Sequence, residues 1–220
     1  MPATHYPAFM DAALIPVKEL ARAKARLADH ISPEDRLALA RALLDDAFTL
    51  AESAPFLSWW VVSDDAEVQD LAARRGLGIA PDPGAGLNPA LSAGIAATIK
   101  AGATSVTIVP CDVPLAWRGD LEDLLDTGAT SDVVLVPSGD DGGTNALYLS
   151  PPGLLEPHFG EGSMKAHIDA AEARRARCSI LALDRLALDI DTIEDVDAFL
   201  AKPNRFPSAT SAVLERLRAT

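Results

Sequence analysis

The chain has 220 residues, of which 49% are apolar and 5% aromatic, which is enough for one sizeable aliphatic core and too apolar for a disordered chain. Lys and Arg number 19 against 32 Asp and Glu, a net charge of −13 that repels nucleic acid and anionic membrane at long range, so neither is expected as a partner. No run reaches the ~18 apolar residues of a membrane span, and residues 1–11 lack the basic start and apolar stretch of a signal peptide, so a cytoplasmic protein is expected.

Residues 1–11 read as a loose lead-in. The apolar run 12–17, with Ile15 and Val17, reads as a buried first strand. Lys18 ends it, and Arg22, Lys24 and Arg26 follow, a local basic cluster in an acidic chain. A loop at the carboxyl end of a strand in an open α/β sheet faces the ligand crevice. The cluster there suits a polyanion such as a nucleoside triphosphate; a solvated basic face on an ordinary helix is the other reading.

Ser32, Pro33, Glu34 and Asp35 form a helix start, with serine as cap and proline in the first turn. The helix is expected to reach residue 53, burying Leu37, Ala40, Leu44, Ala47 and Phe48. A second strand is expected over 59–63, a helix capped by Asp64 and Asp65 up to Arg75 and Gly76, and a short strand over 77–80. Residues 81–86 are too rich in Pro and Gly for regular structure. Asn88 and Pro89 open a helix to residue 101, and a strand follows over 105–109. A helix near 121–125, strands over 133–137 and 145–149, and a helix from Ser163 as cap to residue 175 come next. Strands near 179–182 and 188–190 precede a helix over 193–200, where Thr192 and Asp195 form a capping box. This order predicts a three-layer α/β domain, its sheet mostly parallel with antiparallel pairing late in the chain.

Four constellations carry candidate chemistry. Asp112 lies just past the fourth strand, where a carboxylate suits Mg²⁺ that also touches substrate phosphates; a turn aspartate bonded to its own backbone is the alternative. Asp189 and Asp191 alternate around Ile190, so both face one way in an extended segment. Two such carboxylates repel without a cation between them, although Asp191 could simply start the next helix. Thr144, after Gly142 and Gly143, and Ser163, after Gly160 and Gly162, offer hydroxyls, backbone N–H groups and a helix N-terminus to a small phosphate or carboxylate; two flexible loops would look the same. Asn88 can donate and accept, as a base edge or ribose needs, and is equally an ordinary helix cap. Lys165 and His167 could add anion contacts or be exposed helix positions. His5, His30 and His158 show no partner spacing and are expected as surface or loop residues. Cys111 and Cys178 fit neither a zinc site nor a redox pair and are expected as reduced thiols in or near the core.

Taken together, the stretches IPVK, AKARL, VVSDD, GLNPAL, CDVPL, GGTNAL, FGEGS and DIDTIEDV resemble those of the 2-phospho-L-lactate guanylyltransferase family, which includes phosphoenolpyruvate and 3-phospho-D-glycerate guanylyltransferases of coenzyme F-420 biosynthesis. The resemblance spans residues 12–200. It implies a Rossmann-like nucleotidyltransferase fold over 12–202; residues 203–220 extend past the family's pattern and read as an appended linker and amphipathic helix whose apolar face would suit a homodimer. It implies that Asp112, Asp189 and Asp191 hold Mg²⁺, and that Thr144, Gly160 and Ser163 hold a phosphorylated three-carbon acid. Lys18, Lys24 and Arg26 would face the GTP phosphates and assist catalysis, with Asn88 on the nucleotide. Molybdenum-cofactor or sugar-phosphate nucleotidyltransferases are the neighbouring alternative, but they carry a glycine-rich loop where this chain has Pro16, Val17 and Lys18. A nucleotide-binding regulator without activity is a further one.

Overall fold

The structure, a computed structural model, describes residues 10–139, 142–202 and 207–218. The expected lead-in lies outside the described residues except for Met10 and Asp11, and Asp11 already belongs to the first strand.

Seven strands form one sheet: β1 (Asp11–Pro16), β2 (Ser58–Val62), β3 (Gly78–Ala80), β4 (Ser105–Ile108), β5 (Val133–Pro137), β6 (Thr144–Leu149) and β7 (Cys178–Ile180). Their order is β3-β2-β1-β4-β6-β5-β7. All neighbours are parallel except β6, which runs antiparallel between β4 and β5. Its reversal positions the site. Thr144, the first residue of β6, pairs with Pro137, the last of β5. The start of β6 therefore shares one edge of the sheet with the carboxyl ends of β1, β2, β4 and β5.

The helices are α1 (Pro33–Ser53), α2 (Ala66–Arg74), α3 (Leu87–Lys100), α4 (Arg118–Gly128), α5 (Ser163–Ala173), α6 (Ile193–Ala201) and α7 (Ala209–Arg218). Both faces of β1 are buried. Ala13 and Ile15 pack with Leu44, Phe48 and Leu124 on one side, and Ala12 and Leu14 pack with Leu91, Ile95 and Ala171 on the other. A strand covered by helices on both faces reads as a continuous apolar run, as β1 does.

α1 begins as its caps direct: the Asp35 N–H donates to Ser32 Oγ at 3.1 Å, with Pro33 in the first turn. Its buried face is wider than expected. Leu39 and Leu43 are also enclosed, in a third cluster with Ile190, Phe199 and Leu214. That cluster belongs to α6 and α7, whose docking the pattern of α1 alone does not reveal. The α7 N-terminus is bound by Asp46, whose carboxylate accepts from Ala209 N and Thr210 N at 2.9 Å each. The apolar face of α7, with Leu214 buried and Val213 and Leu217 beside it, packs into the cluster that holds Leu39, Leu43 and Phe199. The linker residues 203–206 lie outside the described residues.

Three expectations need correction. Residues 188–190 form no strand: Ile190 N donates to Asp112 O at 3.0 Å, so the segment is pinned across the sheet's end instead of joining a ladder. α4 begins at Arg118, not near 121, because the Asp120 carboxylate accepts from Trp117 N and closes the first turn. Cys178 is exposed on the edge strand β7, whereas Cys111 is partly buried. No helix among the described residues is long and apolar enough to cross a membrane.

Candidate active site

After β1 the chain makes two single turns of 3-10 helix, Leu20–Arg22 and Ala25–Leu27, anchored by the buried Leu20 and Leu27. Lys24 between them has φ 55° and ψ 39°, a left-handed conformation that costs a residue with a Cβ roughly 1–2 kcal/mol. The turn sends the Lys24 side chain inward, where it is only 8% exposed. Its ammonium lies 2.7 Å from Asp112 Oδ2 and 3.0 Å from Asp191 Oδ1. Burial alone would push the Lys24 pKa down; the Asp112 and Asp191 carboxylates outweigh it and hold the ammonium charged well above the ordinary range.

The loop is held from the other side by Asp65. One carboxylate oxygen accepts from Leu20 N at 3.0 Å, while the other accepts from Glu67 N at 2.8 Å at the start of α2. The sequence marks Asp65 as a helix cap only; its tie to the basic loop needed the β1–β2 pairing to become visible.

Asp112, Asp189 and Asp191 converge, with one carboxylate oxygen from each within 4.8 Å of the others. Ile190 between the two later aspartates is fully buried, which realises the alternation expected of that segment. Asp189 accepts from Asn145 Nδ2 at 3.1 Å, and the same amide donates to Leu186 O at 2.8 Å. Burial, with the Asp112 and Asp191 charges adding to it, pushes the Asp189 carboxyl above the usual carboxylate range despite the Asn145 bond. Three hard oxygen donors gathered against their mutual repulsion fit a divalent cation. Asn145 is a site residue that sequence reading missed. Its signal was a buried amide inside a strand, where asparagine is disfavoured unless bonded.

Lys18, Arg22, Lys24, Asp112 and Asp191 line a cleft of about 640 Å³, together with Gly84 and Gly86. Lys18 lies exposed in that lining. Arg26 is 74% exposed and reaches Asp191 at 3.3 Å from outside. Arg22 pairs with Glu19 at 3.0 Å.

Beside the triad lies a second constellation. Ser163 is not the cap of α5 but its first residue; the cap is Gly162, at φ 67°. Gly160, at φ 123°, holds a conformation that residues with side chains avoid. The Ser163 hydroxyl is buried and has no hydrogen-bond partner among the described residues. A buried, unpaired hydroxyl costs about 1–3 kcal/mol, which a bound oxyanion would remove. Thr144 is buried at the start of β6, its Oγ1 3.2 Å from His167 Nδ1. His167 is fully enclosed rather than an exposed helix position.

Asn88 is likewise not a cap, since α3 starts one residue earlier with Gly86 as its cap. Both edges of its amide meet Phe159: Asn88 Nδ2 donates to Phe159 O at 3.0 Å, and Phe159 N donates to Asn88 Oδ1 at 2.8 Å. The amide expected on the nucleotide is thus engaged in clamping the loop that carries Gly160 and Ser163.

Burial, with the neighbouring His158 adding to it, pulls the His167 pKa down from 6.5 to about 4. The unfolded chain therefore takes up this proton first as the pH falls. The stability contributed is complete above pH 6.5, is lost as pH falls towards about 4, and changes no further below that. The loss from this group amounts to about 3 kcal/mol. Urea unfolding at a series of pH values should show that component in the wild type and lack it in His167→Asn.

A Rossmann-like sheet with three carboxylates and Lys24 gathered at one end is the arrangement expected of a nucleotidyltransferase. The fold is shared with solved structures: a protein described as a putative nucleotide-diphospho-sugar transferase from Desulfovibrio desulfuricans superposes with a TM-score of 0.80 at 18% identity, covering 95% of each chain. Rv0371c from Mycobacterium tuberculosis, solved as a complex with manganese, superposes at 0.57 and 19% identity over 89% of this chain and 100% of its own.

Residues 11–208 match the family described as "Guanylyl transferase CofC like", and the chain belongs to that family. It is 37% identical to the phosphoenolpyruvate guanylyltransferase of Sphaerobacter thermophilus, over 84% of this chain and 90% of that one. It is 35% identical to the 2-phospho-L-lactate guanylyltransferase of Methanothermobacter thermautotrophicus (84% and 81% covered). It is also 35% identical to the 3-phospho-D-glycerate guanylyltransferase of Phenylobacterium zucineum (84% and 88% covered).

Proposed function

We propose that this enzyme transfers GMP from GTP to the phosphate of a small three-carbon phosphorylated acid, releasing pyrophosphate, as a step of coenzyme F-420 assembly in the cytoplasm. The observation that carries this reading is the adjacency of two constellations: the carboxylate triad with Lys24, which suits a divalent ion and the phosphates it would bring, and the buried hydroxyls of Thr144 and Ser163, joined to the triad through Asn145.

The acceptor's phosphate oxygen attacks the α-phosphorus of GTP, a P–O bond forms, and the bond to the β-phosphate oxygen breaks. No general base is needed. A phosphate monoester has its second pKa near ~6, so the attacking oxygen is already ionised at neutral pH. The difficulty is the approach of two polyanions, and positioned charge overcomes it.

Asp112, Asp189 and Asp191 would hold the divalent ion, with Mg²⁺ the natural choice beside phosphates. Bound there, the ion supplies positive charge to the triphosphate oxygens. Lys24, whose ammonium lies 2.7 Å from Asp112 and 3.0 Å from Asp191, would offer its charge to the same oxygens. Lys18 and Arg26 add charge from the exposed loop. Thr144, Ser163 and the backbone around Gly160 receive the acceptor. Asn88 holds that receiving loop in place.

Ser163→Ala should raise the acceptor KM about tenfold with little change in the KM for GTP, since a hydrogen bond to a charged group is worth about 1.5–3 kcal/mol. Steady-state pyrophosphate release measures both constants, and an unchanged acceptor KM removes Ser163 from the site. Acceptor identity is tested by offering phosphoenolpyruvate, 2-phospho-L-lactate and 3-phospho-D-glycerate together with GTP and Mg²⁺, and weighing the product. One guanylylated three-carbon acid is expected; guanylylation of sugar 1-phosphates alone would overturn the reading.

A further inference from the structure

His167 Nε2 lies 3.0 Å from His158 N, a backbone group that can only donate. Nε2 is therefore the bare, accepting nitrogen, and in a neutral ring the proton sits on Nδ1. Nδ1 is 3.2 Å from Thr144 Oγ1, so the imidazole donates to that oxygen. The hydroxyl's own proton is then directed away from the ring. Its other partner among the described residues is Met164 Sδ at 3.9 Å, a weak acceptor that an oxyanion would displace.

The tautomer is fixed from further back. Phe159, next to His158, is clamped through its N and O by Asn88, and its ring stands edge-on to the imidazole at 5.2 Å between centroids. A run of hydrogen bonds thus passes from α3 through residues 158–159 and His167 to Thr144. Burial keeps the ring neutral at working pH, so the polarity of this run does not reverse.

We propose that His167 is a positioning residue for the acceptor: held as the Nδ1–H tautomer by the His158 backbone, it turns the Thr144 hydroxyl proton outward to the anionic group of the phosphorylated acid. The proposal rests on the reading of Thr144 as an acceptor contact.

Two substitutions separate this role from mere packing. In His167→Asn the amide nitrogen falls near the Nδ1 position, so the bond to Thr144 survives while that to His158 is lost. In His167→Gln the amide oxygen reaches the Nε2 position, so the bond to His158 survives while that to Thr144 is lost. With GTP, Mg²⁺ and phosphoenolpyruvate as probe, His167→Gln should raise the phosphoenolpyruvate KM about tenfold and leave the GTP KM unchanged, whereas His167→Asn stays within about threefold of wild type. In a Thr144→Val background, His167→Gln should have no further effect. The reverse order, with Asn the worse variant, would show that the His158 bond alone matters and overturn the proposal. A raised KM in Thr144→Val with wild-type behaviour of His167→Gln would overturn it while sparing the acceptor site; a wild-type KM in Thr144→Val would overturn both. ¹⁵N NMR of the unaltered protein gives a test free of variants: the His167 proton is expected on Nδ1, and a proton on Nε2 would end the proposal.

Discussion

Asp112→Asn should lower kcat about 10²–10³-fold, the usual effect of removing one positioned group from a charge-stabilising site. The carboxylate stands in the loop after β4, 2.7 Å from the Lys24 ammonium. The amide retains its size but loses the charge that a divalent ion requires. Folding should survive. Asp112 holds the chain through its backbone carbonyl, which accepts from Ile190 N and is untouched by the change. Lys24 keeps Asp191 at 3.0 Å as a counter-ion. Pyrophosphate release and thermal unfolding together decide the matter. Wild-type turnover would remove Asp112 from the metal site, and an unfolded variant would show that its role is structural.

Lys24→Met carries the second large effect, and here stability and activity change together. The ammonium is the nearly buried cation that separates Asp112 from Asp191. Methionine retains most of the apolar stem and deletes the charge. Stranding the carboxylates should cost about 3 kcal/mol, the lower end for breaking an enclosed pair, because Asp191 is still partly in water. A divalent ion should restore that loss. Added Mg²⁺ is therefore expected to raise the melting temperature of Lys24→Met more than that of the wild type, where the ammonium competes for the same oxygens. Turnover should remain about 10²-fold down even with saturating Mg²⁺, because the triphosphate has lost a cation. Equal responses of the two proteins to Mg²⁺ would show that the lysine and the ion do not share a site.

Much of this was legible in the chain because it is encoded locally. The β1 run, the Ser32 and Thr192 caps and the glycines before α5 each act within a few residues, and residues 133–137 form β5 as expected. The aspartates 189 and 191 were readable as a pair because alternation in an extended segment is local too. What escaped depends on partners far along the chain. The insertion of β6 between β4 and β5 decides which edge Thr144 occupies, and no local pattern records it. The segment 188–190 has the composition of a strand, but its N–H is claimed by the Asp112 loop. Leu39 and Leu43 are buried by helices more than 150 residues later in sequence, α6 and α7. His167 reads as a polar helix position until the 157–162 loop folds over it, and Asn88 reads as a cap until Phe159 meets both edges of its amide.

In the proposed reaction, this acidic protein gathers a divalent ion and the inward-turned Lys24 in one place to bring two phosphorylated molecules together. Anomalous diffraction from crystals grown with Mn²⁺ and GTP measures this directly. The expected result is one strong manganese peak bounded by Asp112, Asp189 and Asp191, with Lys24 withdrawn from those carboxylates onto the triphosphate. A peak elsewhere, with Lys24 still bridging Asp112 and Asp191, would contradict it.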